Sequence, residues 1–377
     1  MLHSRWVGVT GYLLMAVLLG TYLYQTFWRN AEGGLNISCF AYRDVNRNGR
    51  YDMDDRPYAG LSVVMTRPDG RTFTESSNLS GFANFVMSRR NRNAVVRKAG
   101  DYVIDVVPAA GWIVTSGATR QTGRFVFLPG TPAGIVAERG FEPVGIARDL
   151  MLSGSGAAVG GLTALDPRGV SRASEVTSEG RFQFLAERGV WTLLSEDRSG
   201  RVRSRTVKVG NEAVVVSRWV ADDVPPLKSE KRVVDFDTLT PSDTLYEIPR
   251  GYGGLEWINW VATHHKFYKA AGFVNGTVSG EYSAYNSSGH PARIESDVPF
   301  DVIGLRVGVV WPEAEKHEVV IRAWRGPDLI HEDQLFGSTR GSVYFDADYR
   351  SITRFEIGSA AYWQVVVDDF EYRVGKP

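Results

Sequence analysis

The chain has 377 residues, enough for two or three domains, and its 43 Lys+Arg balance 43 Asp+Glu, so no charge excess points to nucleic acid or to an acidic disordered tail. Forty glycines, 12% aromatic residues and short alternating apolar runs point to an all-β chain. The single cysteine, Cys39, excludes an internal disulfide and reads as a small buried residue of the first strand.

The first element is an uncharged stretch over residues 6–28, with Trp6 and Trp28 at its ends. About 20 apolar residues cross a bilayer as a helix, and terminal tryptophans suit the membrane interface. No A-x-A-like site precedes Asn30-Ala31-Glu32-Gly33, which favours an uncleaved signal anchor over 1–30 to a cleaved signal peptide. With either outcome the body is exported, to the periplasm or cell surface if the source is bacterial. No sorting tail follows Gly375-Lys376-Pro377, so anchoring is expected to rest on the amino-terminal segment.

Next come two strand-like runs, Ile37 to Tyr42 and Gly60 to Met65, around an acidic loop from Asp44 to Asp55. Side-chain oxygens fall at loop positions 1, 3, 5, 9 and 12 (Asp44, Asn46, Asn48, Asp52, Asp55), glycine at 6 (Gly49), and the Arg50 carbonyl at 7. That is the layout of a twelve-residue calcium loop, closed by Asp55 where Glu is usual. A polar Asx/Gly turn is the alternative. Strands on both sides exclude an EF-hand and suggest a staple between two strands of a sandwich.

With Pro57, Gly60-Leu61-Ser62-Val63, Asp69-Gly70, Gly81-Phe82-Ala83-Asn84-Phe85, Gly100-Asp101-Tyr102-Val103-Ile104 and Pro108 to Trp112, the stretch 36–147 resembles the B domains of serine-aspartate-repeat surface adhesins, within the prealbumin-like (Cna B-type) family. The resemblance implies a calcium-binding sandwich used as a spacer or adhesive module. Some Cna B-type domains carry a Lys–Asn isopeptide bond from a first-strand lysine. Lys98 is the only lysine in this domain and lies elsewhere, so no such bond is expected.

Residues 148–220 repeat the pattern without the loop: Gly180-Arg181-Phe182-Gln183-Phe184 and Gly189-Val190-Trp191-Thr192-Leu193 echo the first domain. Alternation puts Phe182, Phe184, Trp191 and Leu193 on one face, as core. This copy resembles a second prealbumin-like sandwich, giving two such sandwiches in tandem. Residues 221–231, charged and carrying Pro225-Pro226, read as a linker.

The third domain, 232–377, opens Arg232-Val233-Val234-Asp235-Phe236-Asp237 and contains Ile248-Pro249-Arg250-Gly251-Tyr252-Gly253-Gly254-Leu255-Glu256-Trp257, then Gly276 to Gly280, and closes at Val365 to Tyr372. It resembles β jelly-roll domains of exported bacterial proteins, including PEP-CTERM-sorted ones, and implies a relative of carbohydrate-binding modules. Asp235 and Asp237 in the first strand and Asp368 and Asp369 in the last are candidates for a second calcium site; solvated edge charge is the alternative. Tyr252, Trp257 and Trp260 beside the glycine-rich loop are candidate sugar-stacking residues. Alternation predicts one of the two tryptophans in the core and the other exposed. His264-His265 is expected on a surface loop, because adjacent strand residues face opposite ways. Glu281, Glu295, Asp297 and Asp301 could supply a glycosidase pair, but nothing in the sequence makes two of them face each other.

The sequence therefore predicts a membrane-anchored, exported, all-β protein with calcium as cofactor and surface or extracellular polysaccharide as partner. Its expected role is non-catalytic binding by the jelly-roll head. A structural or adhesion protein whose head binds another protein is the alternative, and a glycan-active enzyme comes third.

Overall fold

The structure is a computed structural model that describes residues 35–116, 118–157, 161–196, 201–219, 224–239 and 245–375. The apolar segment 6–28 lies outside the described residues, as do the linker acids Asp222 and Asp223. Among the described residues no helix is long and apolar enough to cross a membrane. The protein is nearly all β; the one α-helix among the described residues is Ala271–Gly276.

The strands follow the two-residue period of their apolar side chains. In Gly100–Val107 the buried residues are Tyr102, Ile104 and Val106; in Gly189–Glu196 they are Trp191, Leu193 and Ser195. The first sandwich is built on Leu35–Arg43, which pairs antiparallel with Phe82–Met87 and Arg56–Pro57 and parallel with Val144–Arg148. The facing sheet runs Thr72–Ser76, Ser62–Thr66, Gly100–Val107, Arg120–Phe127, Ile135–Arg139. Between them lie Cys39, Phe85, Ile104, Phe125 and Ile146; burial pushes the Cys39 thiol up to about 12.

A smaller core holds Leu152, Trp191, Leu193, Val207 and Val214. Phe182 is buried in it and Phe184 packs against its edge. The head is built on two long antiparallel strands, Ala292–Val309 and Val343–Ser359, whose register shifts between Glu295 and Gly304 bend the sheet. Its first strand, Arg232–Val234, pairs with its last, Val365–Val374.

The second sandwich and the head share one sheet. Val214–Val216 lies parallel to Met151–Gly154 on one side and to the head strand Val343–Ser359 on the other, with Val214 opposite Tyr344 and Val216 opposite Asp346. Val214 and Val216 enter the smaller core while Ala213 and Val215 meet the head core, so both faces are covered and the run Ala213-Val214-Val215-Val216 is unbroken. Beside it Arg205 is buried and clamps Asp346, Nη2 to Oδ1 at 2.7 Å and to the carbonyl at 2.8 Å, while Nη1 donates to Ser217 Oγ at 2.9 Å. The proline-bearing segment is also held to the head: Leu227 N donates to Asp301 Oδ2 at 2.7 Å and Arg350 Nη1 to the Val224 carbonyl at 3.1 Å.

The first sandwich joins the head through buried polar groups. Arg43 donates to the carbonyls of Asn275 and Thr277, each at 2.5 Å. The Asn275 amide meets both the N–H and the carbonyl of Ala59 at 3.0 Å, as a neighbouring strand would.

Candidate functional site

The acidic loop begins where Leu35–Arg43 ends. Arg47 (φ 59°) and Gly49 (φ 74°) take left-handed conformations, and a Cβ on Gly49 would stand 2.7 Å from the Thr115 carbonyl, so glycine is required there. The side chains fold inward. Asp44 accepts from the N–H groups of Asn48 (3.1 Å) and Gly49 (2.8 Å). Asp52 accepts from the amides of Asn46 (2.7 Å) and Asn48 (2.8 Å), which hold its carboxyl below the usual range. Asp55 takes the N–H of Val45 and of Asp52, each at 3.0 Å, and burial pushes its carboxyl up. Asn48 Oδ1 accepts the Arg50 N–H at 2.7 Å. Among the described residues no cation pairs with Asp44, Asp52 or Asp55. Three carboxylates bridged by amides, with no ion pair, form a donor set suited to a hard cation. The loop also touches the second sandwich: Arg47 donates to the Asn211 carbonyl at 2.9 Å and Arg188 to the Asn46 carbonyl at 3.1 Å, while Arg47 also donates to the Arg148 carbonyl at the end of Val144–Arg148.

The four head aspartates are not gathered into one centre. Asp368 is fully buried; Oδ2 accepts from Val278 N (2.6 Å) and Ser279 N (2.9 Å), and Oδ1 from Asp369 N (2.8 Å). Asp369 pairs with Arg306 at 2.9 Å. Asp237 caps the N–H groups of Glu281 and Tyr282, and Asp235 accepts the N–H of Asp237 at 3.2 Å. Backbone donors and an arginine partner these carboxylates.

The aromatic expectation is corrected. Trp257 and Trp260 are both core, at 3% and 1% exposure, with rings 5.6 Å apart edge to face. Their indole N–H groups donate to the carbonyls of Tyr252 (2.8 Å) and Arg293 (2.9 Å). The reason is Asn259, left-handed at φ 64° between the strands Glu256–Ile258 and Trp260–His264. It inserts a kink that resets the alternation, so both indoles turn inward. Tyr252 is partly buried and its hydroxyl lies 3.1 Å from Thr238 Oγ1. Neither indole offers a face for stacking at this loop.

The histidine expectation is corrected as well. Trp260–His264 ends at His264, and His265 enters a turn, so strand alternation does not apply to the pair. Both rings are buried and stack at 4.5 Å and 22°. Glu281 closes the group: its Oε2 lies 2.8 Å from His264 Nε2, and its carbonyl 3.1 Å from His265 Nδ1. Burial draws the His265 imidazole down to about 4, so it is neutral at physiological pH. As for a glycosidase pair, Glu281 faces His264, Glu295 pairs with Arg354 at 3.1 Å, and Asp301 accepts from Leu227 and Ser351 N–H groups.

One site had no reading in the sequence. A cleft of about 760 Å³ opens between the second sandwich and the head. Seven Lys/Arg line it against three Asp, so its field is positive. The acids are spent: Asp346 on Arg205, Asp348 on Arg350 through two 3.0 Å contacts, and Asp301 on backbone N–H groups. Among the described residues no hydrogen bond or ion pair holds the side chains of Lys208, Arg218 or Arg373; Arg218 feels only the Asp333 carboxylate, which its own backbone N–H caps. Trp219 and Tyr344 add apolar surface to the wall. A signal existed in Val202–Val209, where Arg203 and Arg205 take the same phase as the buried Val207 and Val209. Two arginines at inward positions mark a polar junction instead of a core.

No protein-family model and no curated protein matches the sequence. Among solved structures, the Bacillus anthracis TIE protein overlaps 86% of this chain and 43% of its own, at 7% identity and TM-score 0.21. The M60 catalytic domain with the CBM51-1 and CBM51-2 domains from Clostridium perfringens ZmpB overlaps 87% and 32%, at 12% identity and TM-score 0.22. A putative adhesin from Bacteroides ovatus overlaps 46% and 82%, at 10% identity and TM-score 0.18. The chain thus spans less than half the length of the first two, and overlap at these TM-scores carries no argument about fold or function.

Proposed function

We propose that this chain is a non-catalytic binding protein that holds an anionic polysaccharide in the cleft between its second sandwich and its head. The observation that carries the reading is the trio Lys208, Arg218 and Arg373, cationic side chains facing a cavity large enough for several sugar rings. Uronate, sulfate or phosphate groups would supply the missing anions. With equal numbers of basic and acidic residues in the whole chain, this positive field is local to the cleft. The amino-terminal apolar segment would anchor the exported body to a membrane. Replacing Lys208, Arg218 and Arg373 together by Ala is expected to reduce binding to polygalacturonate or heparin at least tenfold and to flatten its salt dependence. A triple variant that binds as the parent does removes the cleft reading.

The first sandwich stabilises this assembly, in the same proposal, through one calcium ion at Asp44, Asn46, Asn48, the Arg50 carbonyl, Asp52 and Asp55. An ion bound only by the folded form adds about 2.7 kcal/mol at a free concentration 100 times Kd. Chelator should lower the melting temperature of the full chain, calcium should restore it, and Asp44→Ala should abolish the response. A melting curve indifferent to both chelator and calcium removes the ion from the account.

A protein partner is the second reading. It draws on the apolar surface beside the loop, where Tyr51, Met53 and Phe82 are 54%, 98% and 40% exposed. Retained association with a protein partner by the triple cleft variant would favour it.

A further inference from the structure

We propose that His264, His265 and Glu281 form a binding site for a divalent transition-metal ion of the zinc class. One ring nitrogen from each histidine and one carboxylate oxygen of Glu281 lie within 4.8 Å of one another, the one such triad of His, Cys, Asp or Glu among the described residues. Two imidazoles and a carboxylate are a donor set for zinc and its neighbours; a hard cation such as calcium prefers oxygen alone. This site is separate from the acidic loop and from the cleft.

The local fold brings the three groups together. The strand Trp260–His264 pairs with Tyr282–Asn286, His264 opposite Tyr282, which places Glu281 at the turn-side end of the same ladder. His265 N donates to the Glu281 carbonyl at 3.0 Å, so the turn carries the second ring back over the first. Gly280 precedes the glutamate at φ 48°; a Cβ there would stand 1.5 Å from Asp237 Oδ2, so only glycine lets the chain pass.

The second contacts of the rings bear on which nitrogens are open. His265 Nδ1 gives its proton to the Glu281 carbonyl at 3.1 Å, which leaves Nε2 with its lone pair. His264 Nδ1 accepts the Lys266 N–H at 3.2 Å, and its Nε2 faces the Glu281 carboxylate at 2.8 Å. Metal at His264 Nε2 moves the ring proton to Nδ1 and turns the Lys266 N–H to water, which its exposed position permits. Two ligands about 2.0–2.1 Å from a tetrahedral ion stand roughly 3.3 Å apart. The stacked rings have to turn apart, because an ion lies in the plane of each imidazole it binds, and Glu281 has to retreat by about half an ångström from its present distance. Its side chain is 54% exposed and free to do so, and water can fill the fourth position. Arg56, 4.0 Å from the other carboxylate oxygen, opposes the ion, and the Asp237 carboxylate beside the Glu281 N–H favours it.

The test is titration of the chelator-treated full chain with zinc in excess calcium, followed by calorimetry, and with cobalt, followed by its visible absorption. We expect one equivalent of zinc and a tetrahedral cobalt band. His265→Ala and Glu281→Gln should each weaken zinc at least tenfold and bleach the cobalt band. His290→Ala, at an exposed histidine elsewhere in the head, and Asp44→Ala, in the acidic loop, should leave both unchanged. Should His265→Ala fail to fold, Glu281→Gln alone decides. Absence of zinc binding, or zinc held equally by the parent and by Glu281→Gln, overturns the proposal.

Discussion

Trp257→Ala and Trp260→Ala are each expected to lower the unfolding free energy of the head by about 3–5 kcal/mol, the cost of emptying a large buried aromatic site. Both indoles are enclosed and both N–H groups are already spent on backbone carbonyls. Each substitution therefore leaves a cavity and takes one donor from a backbone carbonyl, that of Tyr252 keeping only the Leu255 N–H at 3.2 Å. Trp257 also meets Phe236 and Phe370 edge to face, at 5.9 and 5.7 Å, so its loss loosens the segment after the first strand of the head and the last strand together. Urea unfolding followed by circular dichroism measures the effect. Polysaccharide affinity per folded molecule should stay within a few fold of the parent. A Trp257→Ala protein of parental stability that no longer binds glycan would restore the stacking platform to the head.

Arg205→Met should be as costly, about 3–5 kcal/mol, for an electrostatic reason. Burial pushes the Asp346 carboxyl up and Arg205 works against that push. Removing the guanidinium strands a largely buried carboxyl and takes a donor from Ser217 Oγ, while the Asp346 carbonyl keeps only the Ser217 N–H at 2.9 Å. The double variant Arg205→Met/Asp346→Leu should recover most of the loss, since a packed apolar pair avoids the desolvation penalty. A single variant within 0.5 kcal/mol of the parent would mean that water reaches the pair.

The strands were legible because their apolar residues keep period two over runs such as Gly100–Val107 and Gly189–Glu196. The acidic loop was legible because its spacing is local. The errors share a cause. Asn259 adds one left-handed residue and reverses the phase of Trp260; the end of a strand at His264 releases His265 from alternation. Neither event has a residue signature beyond an asparagine or a turn. The cleft was illegible for another reason. Its walls come from residues 201–219, Pro226 and residues 301–373, and only the fold brings them together.

The shared ladder of Val214–Val216 has a consequence for the order of assembly. Ser217 and the head residue that accepts its hydroxyl, Ala347, are 130 positions apart in the chain. Until the head takes shape, one side of a β-branched strand keeps its N–H and C=O groups open, the edge that invites pairing with a foreign chain. Contacts of such long separation form late, so the second sandwich matures with the head and not before it. A chain cut short before residue 343 would carry that open edge permanently, and self-association through it is the failure to expect of any truncated product.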